Sequence, residues 1–211
     1  MEMNKHQEIV EAFCKECMWA WVAYEQYLKL FEKGEARLNL FDKIASTFFG
    51  DLNAIMIGYL LAQICKLTDP AKTLGNPNLT TNYLVEYLPW PPDVKKELLQ
   101  VSLKLESFRK YIVDARNKIL SHNDLTTIVK GNTLGAFPAG EEKVFWDNLQ
   151  NFVNIAYGHY FGNIYPINAV SQYDADDLIE ALKKSIDYDE YFADKPDIKF
   201  TRRGKMTFKE A

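Results

Sequence analysis

Only three cysteines and three histidines stand in 211 residues, and neither set is spaced for a metal site or for covalent chemistry. Cys14 and Cys17 form a C-x-x-C, but they lie inside a strongly helical pattern with no second Cys or His pair to complete a zinc site. Buried, reduced thiols on helix faces are the expectation for these two and for Cys65. His6, His122 and His159 are far apart in sequence. There is no glycine-rich phosphate loop, no H-E-x-x-H and no G-x-S-x-G, so the chemistries those motifs carry have nothing to stand on. No metal and no cofactor are expected. No window approaches the ~18 uninterrupted apolar residues of a membrane span, and the start, MEMNKHQEIVEAF, lacks the apolar core of a signal peptide. A cytoplasmic location and no membrane partner are therefore expected. A net charge of −4 gives no global attraction for nucleic acid, so any such partner would need a local basic patch. Strand signals are nearly absent, and no internal repeat occurs.

What is present is apolar and aromatic. The apolar fraction is 47%, with 13 Phe, 12 Tyr and 4 Trp, enough for a sizeable core without metals or disulfides. Residues 5–33 read as an amphipathic helix with an aromatic face (Phe13, Trp21, Tyr24, Leu28, Phe31), ended by Gly34. Residues 36–66 read as a second helix, apolar nearly all round. That composition predicts the central buried helix, with Gly50 and Gly58 allowing close helix contacts. A turn-rich loop follows from Thr68 to Asn78, then a short helix at about 79–88. After Asp124 the chain is irregular; further helices are predicted over 139–163 and from an Asp174 cap to near Tyr191. Residues 193–211 form a basic tail with Lys195, Lys199, Arg202, Arg203, Lys205 and Lys209. The expected architecture is all-α: an antiparallel bundle of five to six helices over 1–192, with the short tail appended.

The most informative stretch runs from Pro91 to Asp124. Pro91 and Pro92 suit a first turn, which Asp93 is expected to cap. Leu98, Val101, Leu105, Phe108, Ile112, Ala115 and Ile119 then recur at steps of three and four as one apolar seam. Beside it Lys95, Ser102, Arg109 and Arg116 recur at steps of seven. Arg116 thus stands at the lip of a packing seam, six residues before His122. In an ideal helix those two would lie about 120° apart. Either the helix breaks around Ser121, or the two side chains meet groups from another subunit.

The segment Arg116-Asn117-Lys118-Ile119-Leu120-Ser121-His122-Asn123-Asp124 resembles the signature of the HEPN superfamily, an Arg and a small polar residue followed at a distance by His. The wider context, including ICKLTDPAKTLGNPNLT, resembles the branch named for the AbiU abortive-infection proteins, over roughly residues 15–165. The resemblance implies a helical bundle that pairs as a homodimer with two Arg/His motifs facing each other. It also implies a metal-independent endoribonuclease of a phage-defence, abortive-infection or toxin system, with RNA as substrate and an antitoxin or defence protein as a further partner. Carried over by position, His122 is the acid/base and Arg116 the phosphate clamp, with Asn117 as a polar helper. Such a pair fits RNA cleavage, in which a 2′-OH loses a proton, a 5′-oxygen gains one and a phosphorane gathers charge. Asp124 could fix the His122 tautomer or make a local turn bond. Arg109 and Lys118 could extend an RNA-backbone track or form a solvated helix edge. In toxins of this superfamily that a partner nucleotidyltransferase silences, a Tyr stands two residues after the His. Asp124 occupies that place here, so that control is not expected. Two alternatives stay open: a non-catalytic HEPN-like domain binding a nucleotide or protein, and a plain helix end whose Arg and His satisfy last-turn carbonyls.

Overall fold

The computed structural model of the chain describes residues 4–120, 135–169 and 173–193. Six α-helices occur among them: α1 (Lys5–Phe31), α2 (Glu35–Thr68), α3 (Thr81–Tyr87), α4 (Pro92–Ala115), α5 (Glu141–Phe161) and α6 (Asp174–Ala193). A π turn, Arg116–Leu120, continues α4. A hairpin of two-residue strands, β1 (Lys72–Thr73) and β2 (Asn76–Pro77), joins α2 to α3. The architecture is the all-α bundle read from the sequence.

Local chemistry sets the helix ends. Asn4 caps α1 in a reciprocal box, its side chain accepting from the His6 and Gln7 amides while the Gln7 side chain accepts from the Asn4 amide. Gly34 separates α1 from α2 at φ +89°, a backbone region that side chains with a Cβ rarely adopt. Pro91 precedes the first turn of α4 and Asp93 lies within that turn, but no side-chain cap bond forms there. Asp93 thus acts through its charge at the positive helix end, and the cap predicted for it is not made. The last helix likewise starts at Asp174 itself, so Asp174 is its first helical residue and not its cap.

Two apolar clusters hold the elements together. The larger joins α1, α3, α4, α5 and the end of α2, and its axis is the α4 seam. Leu98, Val101, Leu105, Phe108 and Ile112 are all buried there, and Ala115 is buried at the end of the seam. Trp90 anchors the α3–α4 corner, its indole N–H donating to the Leu84 carbonyl at 2.6 Å. The smaller cluster gathers Leu30 and Phe31 of α1, Leu40, Phe41 and Phe49 of α2, and Ala175 and Ile179 of α6.

α2 bridges the two clusters, and here the structure corrects the sequence reading. It is not the buried centre of the bundle. Its backbone departs from helical geometry at Ala45 (φ −159°, ψ 65°), and it is packed along one side only, through Phe41, Phe49, Leu60 and Ile64. On the other side Phe48 (62%), Ile55 (66%) and Tyr59 (47%) face solvent. An apolar composition says which residues favour burial, not how many neighbours surround them; α4, flanked by α5, α2 and α3, holds the centre instead. Gly50 has no atom within 4 Å of where a Cβ would stand, so it makes no close helix contact. By length and composition α2 would also suffice to cross a membrane, although Leu60, Ile64, Cys65 and Leu67 of its last third are packed in the bundle.

The three cysteines are free and buried, as expected. Burial, aided by the Glu11 charge, pushes the Cys14 thiol from 9.0 up to about 12. Burial likewise drives Cys17 well above its usual value. Below pH 9 the thiols are protonated in both folded and unfolded chains. As pH rises further the unfolded chain ionises and the folded chain does not, so stability falls between about pH 9 and about pH 12. The urea midpoint is expected to drop over that range, and less steeply in Cys14→Ala. The clusters make a second prediction: Leu105→Ala costs about 2–5 kcal/mol in denaturant unfolding, whereas Phe48→Ser stays within about 0.5 kcal/mol of the parent.

Candidate functional site

The polar stripe of α4 does not face open solvent. Lys95 is exposed, but Ser102 is buried and its hydroxyl donates to Asn82 Oδ1 at 3.3 Å. The Asn82 amide in turn donates to the carbonyls of Thr68 and Asp69 at 3.4 and 3.2 Å, tying α3 to the end of α2. Asn78 fixes the next residue by donating to the Pro70 carbonyl at 2.8 Å. The turn around Asp69 is therefore held from two sides before any charge is considered.

Two arginines converge on that turn. Arg109 Nη2 lies 2.7 Å from Asp69 Oδ1, and Arg116 Nη2 lies 3.3 Å from Asp69 Oδ2. Seven residues separate them, about 10 Å along the helix axis, so one carboxylate spans two turns of α4. Asp69 is the C-cap residue of α2, where the negative end of the helix dipole disfavours a carboxylate. The paired guanidinium groups offset that. Arg109 Nε is buried with no protein acceptor among the described residues, which ties Arg109 to this one anchor.

Arg116 is held differently. Its second arm, Nη1, donates to Asn117 Oδ1 at 2.8 Å, and a third of its side chain remains exposed (33%). Here α4 gives way to the π turn, a rare geometry that is frequent at functional sites. The break expected around Ser121 lies outside the described residues; the turn runs from Arg116 to Leu120. On its far side Gly135, at φ +86°, packs against Ala115. A Cβ on Gly135 would stand 3.1 Å from the Ala115 Cβ, so the glycine lets the returning chain close on the base of Arg116.

The six sequence-derived residues therefore distribute as follows. Arg116 and Asn117 are in direct contact, and Arg109 joins Arg116 through Asp69. Lys118 points elsewhere, pairing with Asp114 at 3.4 Å on an exposed face. His122 and Asp124 lie outside the described residues. His159 is exposed, with its ring centre 5.4 Å from that of Trp90 in an edge-to-face contact; His6 sits in the first turn of α1. No cluster of three or more His, Cys, Asp or Glu suited to a metal occurs among the described residues. Asp69, Asn82 and Gly135 were not singled out as site residues by sequence. Only the quoted ICKLTDPAKTLGNPNLT stretch brought Asp69 into view.

A polar groove of about 360 Å³ reaches Asp69 from the side of Gln63, Lys66 and Asn78. Asp69→Asn and Arg109→Gln are expected to couple by about 0.5–3 kcal/mol in a double-mutant unfolding cycle. The exposed Asp114–Lys118 pair should couple by no more than about 0.5 kcal/mol. Equal couplings would mean that the Asp69 bridge does nothing for the fold.

No curated protein and no solved structure matches the chain. A family model does: the HEPN model described as AbiU2 matches residues 3–181, which takes in α1 to α5, the whole Asp69–Arg116 junction and the opening of α6. With six helices and almost no strand among the described residues, and an Arg-Asn pair closing the central helix, the chain belongs to the AbiU2 family of HEPN proteins.

Proposed function

We propose that the protein is a metal-independent endoribonuclease acting in abortive infection or as a toxin, with Arg116 as phosphate clamp and His122 as acid/base. The observation that carries this reading is the state of Arg116. It closes the central helix at a π turn, with one guanidinium arm held by Asp69, the other aligned by Asn117, and a third of its side chain open. A guanidinium so fixed presents planar donors to a phosphorane without having to be ordered at the moment of reaction. His122 follows six residues on, and an imidazole titrates in the range where it can take a 2′-OH proton and return one to the leaving oxygen.

The protein would act as a C2 homodimer in the cytoplasm, with one motif from each copy at a shared cleft. The exposed apolar residues Leu99, Leu103 and Tyr111 on α4, the helix that carries Arg116, support a dimer surface there. Arg109 would extend the clamp electrostatically, and Lys118 would stand at the edge of an RNA track.

A second reading, a non-catalytic HEPN domain binding a nucleotide or a protein partner, is favoured by one contact. The Asp69 carboxylate already occupies the place beside Arg109 and Arg116 that a phosphate oxygen would take. The test is cleavage of a fluorescent single-stranded RNA in EDTA, with light scattering to count protomers. On the nuclease reading the wild type leaves 2′,3′-cyclic phosphate ends. His122→Ala and Arg116→Lys then each slow cleavage by about 10²-fold or more at unchanged melting temperature. A wild type that leaves RNA intact, with a destabilised His122→Ala, would move the assignment to the binding reading.

A further inference from the structure

An apolar, aromatic recess lies away from Arg116. It is a cavity of about 390 Å³ between α1, α2, α4 and α5, beside the stretch where α2 passes from one apolar cluster to the other. Tyr24, Tyr27, Phe108 and Trp146 supply aromatic wall, and Tyr24 stacks on Trp146 with ring centres 4.8 Å apart. Two carboxylates complete the lining. Glu32 is exposed and Glu142 is half-buried, so both stand toward the solvent side. Each is held in place: Tyr27 donates its hydroxyl to Glu32 Oε1 at 3.1 Å, and the Gly140 amide donates to Glu142 Oε2 at 3.1 Å.

Among the described residues the wall contains no Lys, Arg or His. Aromatic ring faces carry negative potential, and the two carboxylates add to it. The tyrosines report the same field. Burial first, then the charges of Glu142, Glu32 and Asp147, push the Tyr24 hydroxyl up to about 12. Tyr27 rises to about 12 through burial and its bond to Glu32. A phosphate or carboxylate ligand would be repelled from this recess, so it cannot serve as an extension of an RNA track. A neutral apolar ligand would desolvate Glu142 with nothing to balance its charge. A cation with an apolar body satisfies both the aromatic wall and the carboxylates.

We propose that this cavity is a binding site for a small organic cation, an amidinium, guanidinium or alkylammonium compound of roughly 9–15 non-hydrogen atoms. The site is independent of the chemistry proposed at Arg116, and its charge is of the opposite sign.

The test titrates the full chain by calorimetry and tryptophan fluorescence with three probes of one shape: benzamidine (cationic), benzamide (neutral) and benzoate (anionic). Benzamidine is expected to bind one per chain, about tenfold or more tighter than benzamide, with no binding of benzoate. Glu32→Gln with Glu142→Gln keeps the hydrogen-bonding shape and removes the charge. This double variant should erase the benzamidine preference while melting as the parent does. Ile57→Trp, at the half-open wall, should block all three probes and serves if the double variant is unstable. The proposal is overturned by equal affinity for benzamidine and benzamide, by a preference that survives the double variant or binding that survives Ile57→Trp, or by no binding of benzamidine at about 10 mM.

Discussion

One carboxylate sets the relation between the two long helices that matter most. Asp69 closes α2 at a position where the helix dipole works against it, and it is stabilised there by Arg109 and Arg116 reaching back from α4. Removing either cation leaves a carboxylate that is only 16% exposed facing a negative helix end. Removing the carboxylate leaves two guanidinium groups without their shared partner. The position of Arg116 is therefore set by a residue 47 positions earlier in the chain, through a turn that Asn78 and Asn82 hold rigid.

The molecule also divides its charge in space. Around the end of α4 lie Arg109, Arg116 and Lys118, partly offset by Asp69 and Asp114. Around the recess between α1 and α5 lie Glu32, Glu142 and Asp147. Phe108 and Arg109 are neighbours in sequence yet take opposite sides: Phe108 forms wall of the acidic cavity, and Arg109 grips Asp69. A net charge of −4 hides this separation, which is why composition alone spoke against nucleic acid without speaking to either site.

What could be read from the sequence followed from periodicity and punctuation. The α4 seam was legible residue by residue through Ala115, because steps of three and four leave little freedom for a helix with one wet side. Gly34 and Pro91 marked boundaries for the same reason. α2 misled because its apolar residues imply burial, whereas burial depends on how many helices surround it. The Asp69 bridge was not legible. Pairs separated by 40 and 47 residues leave no periodic trace, and an Asp before a Pro reads as a turn. The π turn was also invisible, since Ile112, Ala115 and Ile119 continue the α spacing straight through it. His122 and Asp124, read from the motif, lie outside the described residues.

That turn has a bearing on how chains of this kind can diverge. A π turn holds one residue more than the α-helix it interrupts. Deleting a single residue between Arg116 and Leu120 would restore the α register, while the α4 seam and the Asp69 bridge stay as they are. Most places in a packed bundle punish a change of length; this one can absorb it. Insertions and deletions here, more than substitutions, are the cheap route by which such a domain can reshape the turn that carries its arginine without rebuilding its core.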